Sequence, residues 1–265
     1  MADALLWDAV RALLPDHARP ANFDVLDLGG GTGGLAVPLA ALGHRVTVVD
    51  SSPDALAALA RRAGESGVEG QISARQGDAD DLQVPDGAFD LVLCHGVLEH
   101  VDDPAHALAG IARALCPGGR LSLVVAQRSA AIVAAALSGH LARAQSLLDD
   151  PEGRWGEQDP FTRRFDRAQI ADLVRAAGLH VDEVHGLRIL ADLVSGVSGQ
   201  LLEADPTAPS RLHDLDLGLA GQPEYAGLSA SLHVLGTRRA ESADGADGAD
   251  GADGADGADG AEAAE

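Results

Sequence analysis

Val25-Leu26-Asp27-Leu28-Gly29-Gly30-Gly31-Thr32-Gly33-Gly34 sets an apolar run of strand length directly against a glycine-rich turn, and the run that follows, Leu35–Leu42, has helical periodicity. The rhythm then repeats. Val46–Val49 precedes Asp54–Ala63, Phe89–Leu93 precedes Ala105–Leu115, and Leu121–Val125 follows. Short apolar runs alternating with amphipathic helices imply an α/β fold, a sheet of parallel strands with helices on both faces. Upstream, Leu6, Val10, Leu13 and Leu14 predict a helix that Pro15 closes, with Trp7 on its edge. Ser52-Pro53 and Asp103-Pro104 each place a capping side chain before a proline at the first helical position. Asp166 and Gln169 have capping-box spacing and predict a helix over about 167–177, stopped by Gly178. Val181–Ile189 and Leu228–Gly236 read as the last strands. Residues 127–165 combine helical patches with a Gly/Pro/Asp-rich stretch and are expected to be an insertion over the sheet's edge. One domain is therefore expected over 1–240, followed by a tail at 241–265.

Composition removes several chemistries. All 19 basic residues are Arg, so neither a phosphate loop with its Gly-Lys-Ser/Thr nor a Schiff-base lysine can be built. Tyr225 is the only tyrosine, which excludes a Tyr-Lys dehydrogenase pair. A chain of 265 residues, 46% apolar, buries about 70–75% of its unfolded surface without needing disulfides or metal. Cys94 and Cys116 are too few for a disulfide framework and lack zinc-site spacing, so no metal is expected and both thiols are expected to be buried. The longest apolar run, Ala130–Leu137, is far below the roughly 20 residues of a membrane span, and Met1–Arg11 lacks a signal peptide's basic region. A cytoplasmic protein is expected. Of the formal charge of −22, −9 lies in the Ala-Asp-Gly repeat after residue 240. That segment has no large apolar group to offset its ordering entropy and is expected to be disordered.

The glycine turn fits two patterns. Gly29, Gly31 and Gly34 satisfy the dinucleotide G-x-G-x-x-G, while Asp27, Gly29, Gly31 and Gly33 satisfy the D-x-G-x-G-x-G of S-adenosylmethionine enzymes. Asp27 favours the second. An acid there suits the amino group of a methionine moiety and opposes a pyrophosphate. Asp50, with Ser51 beside it, ends the second strand 21 residues after Gly29, where a carboxylate can accept both ribose hydroxyls. Asp78 could accept an adenine amino group while the Ala79 amide donates to the ring. No residue set for hydride transfer accompanies these positions.

Gly77-Asp78-Ala79-Asp80-Asp81-Leu82, His95-Gly96-Val97-Leu98-Glu99-His100 and Leu115-Cys116-Pro117-Gly118-Gly119-Arg120-Leu121 complete a series that resembles the class I S-adenosylmethionine-dependent methyltransferases. The resemblance implies a Rossmann-like fold with a seven-stranded mixed sheet. It also implies that Asp27, Gly29, Gly31, Gly33, Asp50, Ser51, Asp78, Ala79 and His95 bind S-adenosylmethionine. Leu5-Leu6-Trp7-Asp8, Gly139-His140-Leu141, Gly186-Leu187-Arg188 and Leu232-His233-Val234 extend the likeness, over about 5–238, to the tRNA 5-carboxymethoxyuridine carboxyl methyltransferase family. The chain departs from that family at Gln127, where an Asn is expected, and at Ala230-Ser231, where an Arg-Tyr pair is expected. It also starts just inside the family's N-terminal segment that closes over the cofactor.

The expected reaction is methyl transfer to a carboxylate or hydroxyl oxygen of a tRNA wobble uridine or of a small molecule. A carboxylate acceptor needs no base, only an orienting cation, for which Arg188, Arg164 and Arg128 are candidates. A hydroxyl acceptor needs a base such as His95 or His233, with His100 and His185 behind them. An aromatic-basic stretch, Arg154, Trp155, Phe161, Arg163, Arg164, Phe165 and Arg167, could hold a base of RNA, yet residues 1–240 sum to −13. The alternative is a cofactor-binding regulatory or scaffold protein without turnover.

Overall fold

Seven strands form one sheet in a computed structural model that describes residues 2–14, 22–190, 193, 205, 207–220 and 222–239. They are β1 (Asp24–Leu28), β2 (Arg45–Asp50), β3 (Ile72–Gln76), β4 (Phe89–His95), β5 (Leu115–Ala126), β6 (Leu179–Leu187) and β7 (Ser231–Arg238). The spatial order is β3-β2-β1-β4-β5-β7-β6; β1 to β5 pair in parallel, and β7 runs antiparallel to both of its neighbours. The helices are α1 (Ala2–Ala12), α2 (Ala36–Ala41), α3 (Pro53–Ser66), α4 (Pro104–Ala114), α5 (Arg128–Leu137), α6 (Leu141–Asp149), α7 (Arg167–Ala176) and α8 (Ala208–Ala220). This is the seven-stranded mixed sheet of the Rossmann-like methyltransferase fold. The 241–265 tail lies outside the described residues.

Alternation along the central strands builds two cores. Leu26, Leu28, Val92 and Cys94 pack on one face with α4 and α7. Val25, Leu91 and Leu93 pack on the other with α1, α2 and α3. Asp27 and His95 fall on the second face by the two-residue period of a strand. The helix starts follow the side chains: Ser52 Oγ accepts the Ala55 amide at 3.2 Å, and Asp103 Oδ1 accepts those of Ala105 and His106 at 2.9 and 3.1 Å.

Strand boundaries differ from those expected, and β6 covers Leu179–Leu187 rather than Val181–Ile189. β5 begins at Leu115 rather than Leu121, because Leu115 pairs with Phe89 before the register shifts across a stretch in which Gly118 takes φ +80°. β7 begins at Ser231, since Pro223–Leu228 winds into a 3-10 turn. The 127–165 segment carries α5, α6 and the loop that follows them. Its α5–α6 hairpin and following loop are stitched to the C-terminal ends of β4 and β5, through Phe165 N to Ala126 O, Arg128 N to Phe165 O and Thr162 N to Glu99 O, at 2.9–3.1 Å. Cys94 is buried, whereas Cys116 is only half-buried and sits 3.6 Å from Asp90 Oδ1.

Candidate active site

β1 lies between β2 and β4, so the loop leaving its C-terminal end stands where the strand order reverses, the place at which open α/β sheets receive ligands. The loop is held by its neighbours. Gly29 N donates to Val49 O at 2.7 Å and Gly31 N to Asp50 Oδ2 at 2.8 Å, while Asp50 Oδ1 accepts the Ser52 amide at 2.8 Å. Gly29, Gly31 and Gly33 take φ of +71°, +54° and +82°, values that favour glycine. At Gly30 the constraint is space, since a Cβ there would meet the Asp27 carboxyl at 2.5 Å.

Two cavities meet at Gly29. The first, of about 460 Å³, is walled by Asp50, Ser51, Asp78, Ala79, Asp80, Val97, His100 and Asp102. Asp80 fixes its shape, because its carboxylate accepts the Asp102 and Asp103 amides at 3.0 and 3.3 Å and so ties the loop after β3 to the loop after β4. The second, of about 580 Å³, is lined by Leu6, Trp7, Leu35 and Pro38, with Asp27 and His95 as its polar side. Burial, reinforced by the charge of Asp50, pushes the Asp27 carboxyl up to about 7.

The donor chemistry of these walls suits S-adenosylmethionine. Asp50 spends one acceptor direction on Gly31 and one on Ser52, which leaves a carboxylate two for a ribose diol. Asp27 is a buried acid with no described cation paired to it, suited to a cationic methionine end. Of the positions inferred from sequence, Asp27, Gly29, Asp50, Ser51, Asp78, Ala79 and His95 line the two cavities, and Gly31 and Gly33 shape the loop between them.

The substrate-orienting candidates fare differently. His95 is in place at the second cavity; its Nε2 lies 2.9 Å from Ser122 Oγ, and its buried Nδ1 has no partner among the described residues. Burial pushes its pKa down to about 4. His233 is not at the cleft. It is wholly buried on β7, held by Ser122 Oγ at 2.7 Å and His185 Nε2 at 2.9 Å. Arg164 is turned inward, paired with Asp159 at 2.7 and 2.9 Å with side chains 8% and 1% exposed. Arg128 spends its guanidinium on the carbonyls of Leu147, Leu148 and Pro151 at 2.7–3.4 Å. Arg188 leaves β6 with φ +58° and lines neither cavity.

Much of the aromatic-basic stretch is likewise engaged within the chain. Arg154 pairs with Asp150 at 3.1 Å, Arg163 lies 3.8 Å from Glu152 Oε2, and Phe165 is buried. Trp7 and Leu6 are cavity residues that the sequence placed only on an amphipathic helix. Ser122 was missed altogether, although a serine inside the apolar run Leu121–Val125 is the signal that marks it. Among the described residues no His/Cys/Asp/Glu group of three could hold a metal ion, and no helix is long and apolar enough to cross a membrane.

Residues 26–123 match the family described as "Methyltransferase domain". The chain is 35% identical over 197 residues to the ubiquinone biosynthesis O-methyltransferase of Xanthomonas axonopodis pv. citri (strain 306), covering 68% of this chain and 78% of that protein. Among solved structures, a putative sarcosine dimethylglycine methyltransferase from Galdieria sulphuraria superposes with a TM-score of 0.60 at 17% identity, over 89% of this chain and 85% of the other. Haemonchus contortus phosphoethanolamine N-methyltransferase 2, in complex with S-adenosyl-L-methionine, superposes with a TM-score of 0.57 at 18% identity, over 90% and 53%. The glycine loop at the switch point, the acids around it and a match spanning most of a curated relative converge: this chain belongs to the class I S-adenosylmethionine-dependent methyltransferases and is an enzyme that uses that cofactor.

Proposed function

We propose that the enzyme methylates a hydroxyl oxygen of a small, largely apolar acceptor seated between Leu6, Trp7, Leu35 and Pro38, with His95 as the base. One observation carries this reading: the apolar cavity beside the glycine loop has a single imidazole on its wall, and the buried Nδ1 of that imidazole is unpartnered among the described residues. The cofactor, when bound, supplies an electrophilic methyl group. Asp50 and Ser51 hold the ribose, Asp78 and Ala79 the adenine, and Asp27 the amino group, on a loop shaped by Gly29, Gly31 and Gly33. The unit that does this is residues 1–240, with 127–165 as its insertion.

A hydroxyl is favoured over a carboxylate because Arg164 and Arg128 are committed to the insertion and no arginine lines the cleft among the described residues. The name of the Xanthomonas relative, an O-methyltransferase, agrees with oxygen as the acceptor. The tRNA reading draws on the sequence resemblance alone, while Arg154 and Arg164 of the basic-aromatic stretch it requires are taken up by internal ion pairs and residues 1–240 carry −13. Incubating the enzyme with S-adenosylmethionine and, separately, phenols and catechols, the matching benzoates, and unmodified tRNA decides between them. Mass spectrometry is expected to find the methyl group on phenolic oxygen. Methyl esters or methylated tRNA as the sole product would overturn the reading.

Asp27 makes cofactor binding depend on pH. In the free enzyme its carboxyl titrates near 7, and an ammonium group beside it favours the ionised form, so binding releases a proton. Affinity is therefore expected to fall as pH drops below about 7, by at most about tenfold per unit, and to level off above it. Calorimetry in two buffers of different ionisation enthalpy measures the released proton. Asp27→Asn should abolish the release as well as weaken binding.

A further inference from the structure

Polar side chains on one face of β4, β5, β7 and β6 make an unbroken hydrogen-bonded series through the sheet. His95 Nε2 lies 2.9 Å from Ser122 Oγ, Ser122 Oγ lies 2.7 Å from His233 Nε2, and His233 Nδ1 lies 2.9 Å from His185 Nε2. Ser122 and His233 are wholly buried. Both ends reach cavities. His95 lines the apolar half of the cleft, and His185 lines a separate cavity of about 880 Å³ at the outer edge strand, against α7. Three strand spacings of about 4.8 Å separate the ends. Apolar side chains would fill this strip at lower desolvation cost, so a buried polar series here calls for an explanation beyond packing.

Proton counting shows what the series can do. Each inner member must donate once and accept once, so only two arrangements satisfy every bond. In one, His95 carries its proton on Nε2 and leaves its buried Nδ1 bare. In the other, every proton has moved one step and His95 carries it on Nδ1. Passing from the first to the second takes one proton in at His95 and releases one at His185. The two arrangements are the beginning and end of a relay.

We propose that His95, Ser122, His233 and His185 conduct the acceptor's hydroxyl proton from the cleft to the outer cavity; this rests on the hydroxyl reading given above. The O–H bond breaks and its proton bonds to His95 Nδ1. The Nε2 proton passes to Ser122 Oγ, the hydroxyl proton of Ser122 to His233 Nε2, and the Nδ1 proton of His233 to His185 Nε2. The Nδ1 proton of His185 leaves to solvent. One proton enters, one leaves, every ring is neutral before and after, and no electron changes hands. Once product departs and water fills the cleft, the reverse passage restores the first arrangement. Burial, with His185 and His95 nearby, lowers His233 to about 2, which disfavours a charge resting midway and suits a passage that keeps the interior neutral. The charged groups acting on His185 are Glu183 on its own strand, 3.9 Å from Nδ1, and Arg167 on α7.

Two measurements test the relay, one of them independent of any acceptor. In ¹⁵N-histidine NMR of the cofactor-free enzyme, the His95 ring nitrogens are expected to exchange tautomer as His185 titrates, and Ser122→Ala should uncouple them. A His95 tautomer that stays fixed while His185 titrates overturns the proposal. In turnover with a phenolic acceptor, His185→Ala should lower kcat about 100-fold, within the range of acid–base contributions. It should leave the affinity for S-adenosylhomocysteine unchanged, and added imidazole should restore the rate through the outer cavity. An unchanged kcat also overturns it. Should the wild-type enzyme methylate no hydroxyl, the acceptor reading fails, and the NMR titration still judges the relay.

Discussion

Asp50→Ala lowers the affinity for S-adenosylhomocysteine by at least about 100-fold. A carboxylate accepting two ribose hydroxyls makes two hydrogen bonds to a charged group, each worth about 1.5–3 kcal/mol, and their sum converts to that factor or more. The substitution also frees the Gly31 and Ser52 amides, which Asp50 holds at 2.8 Å each, and so loosens the loop that the ligand must find in place. Asp50→Asn separates the two contributions. Its single carbonyl oxygen can keep one amide but offers no charge, and an intermediate loss is expected. Isothermal titration calorimetry reads both variants. A dissociation constant within threefold of wild type for Asp50→Ala would place the ribose elsewhere.

Arg164→Met is the largest expected loss of stability, about 3–5 kcal/mol, because it strands a carboxylate that is 1% exposed. Burial alone would lift the Asp159 carboxyl, but hydrogen bonds from Arg164 and from the Trp155 and Phe161 amides outweigh it and hold the group below its ordinary value. Its contribution is thus present above the unfolded carboxylate pKa of about 3.9 and is lost as pH falls through the lower folded one. Denaturant unfolding measures the loss, and limited proteolysis within 150–165 locates it. Adding Asp159→Asn should recover much of the stability, since the side-chain amide keeps an acceptor for a backbone amide and removes the unpaired charge. No recovery would mean that Arg164 acts through packing on Phe161, over which it lies at 4.9 Å.

The half of the fold that carries the cofactor was legible because its signals are local. Gly29, Gly31 and Gly33 stand where positive φ is required, Ser52 and Asp103 cap the helices they precede, and Asp50 ends its strand. Helix boundaries there moved by only a few residues. The arginines were misplaced for a different reason. Nothing in the spacing of Arg128 or Arg164 distinguishes a cation facing a cleft from one that gathers carbonyls or a carboxylate inside an insertion, because that choice is made by the tertiary position of Asp159 and of the α6 C-terminus. His233 was ambiguous until its strand was seen between two others. A lone histidine in Leu232-His233-Val234 acquires its meaning from Ser122 and His185, which stand 111 and 48 residues away.

The place of β7 bears on how the chain is made. Strands β1 to β5 occupy residues 24–126 without interruption, and β7, at 231–238, slots between β5 and β6. A ribosome delivering the chain from its N-terminus releases the whole cofactor-binding half first. β6, at 179–187, then waits without the strand it pairs with, and the outer side of β5 stays an open hydrogen-bonding edge until β7 emerges. Arg238 closes the assembly by donating to the carbonyls of Ala112, Arg113 and Leu115 at the end of α4. Nascent chains arrested before residue 231 should therefore bind the nucleoside yet remain sticky, and the enzyme becomes competent for its acceptor only once β7 is in place.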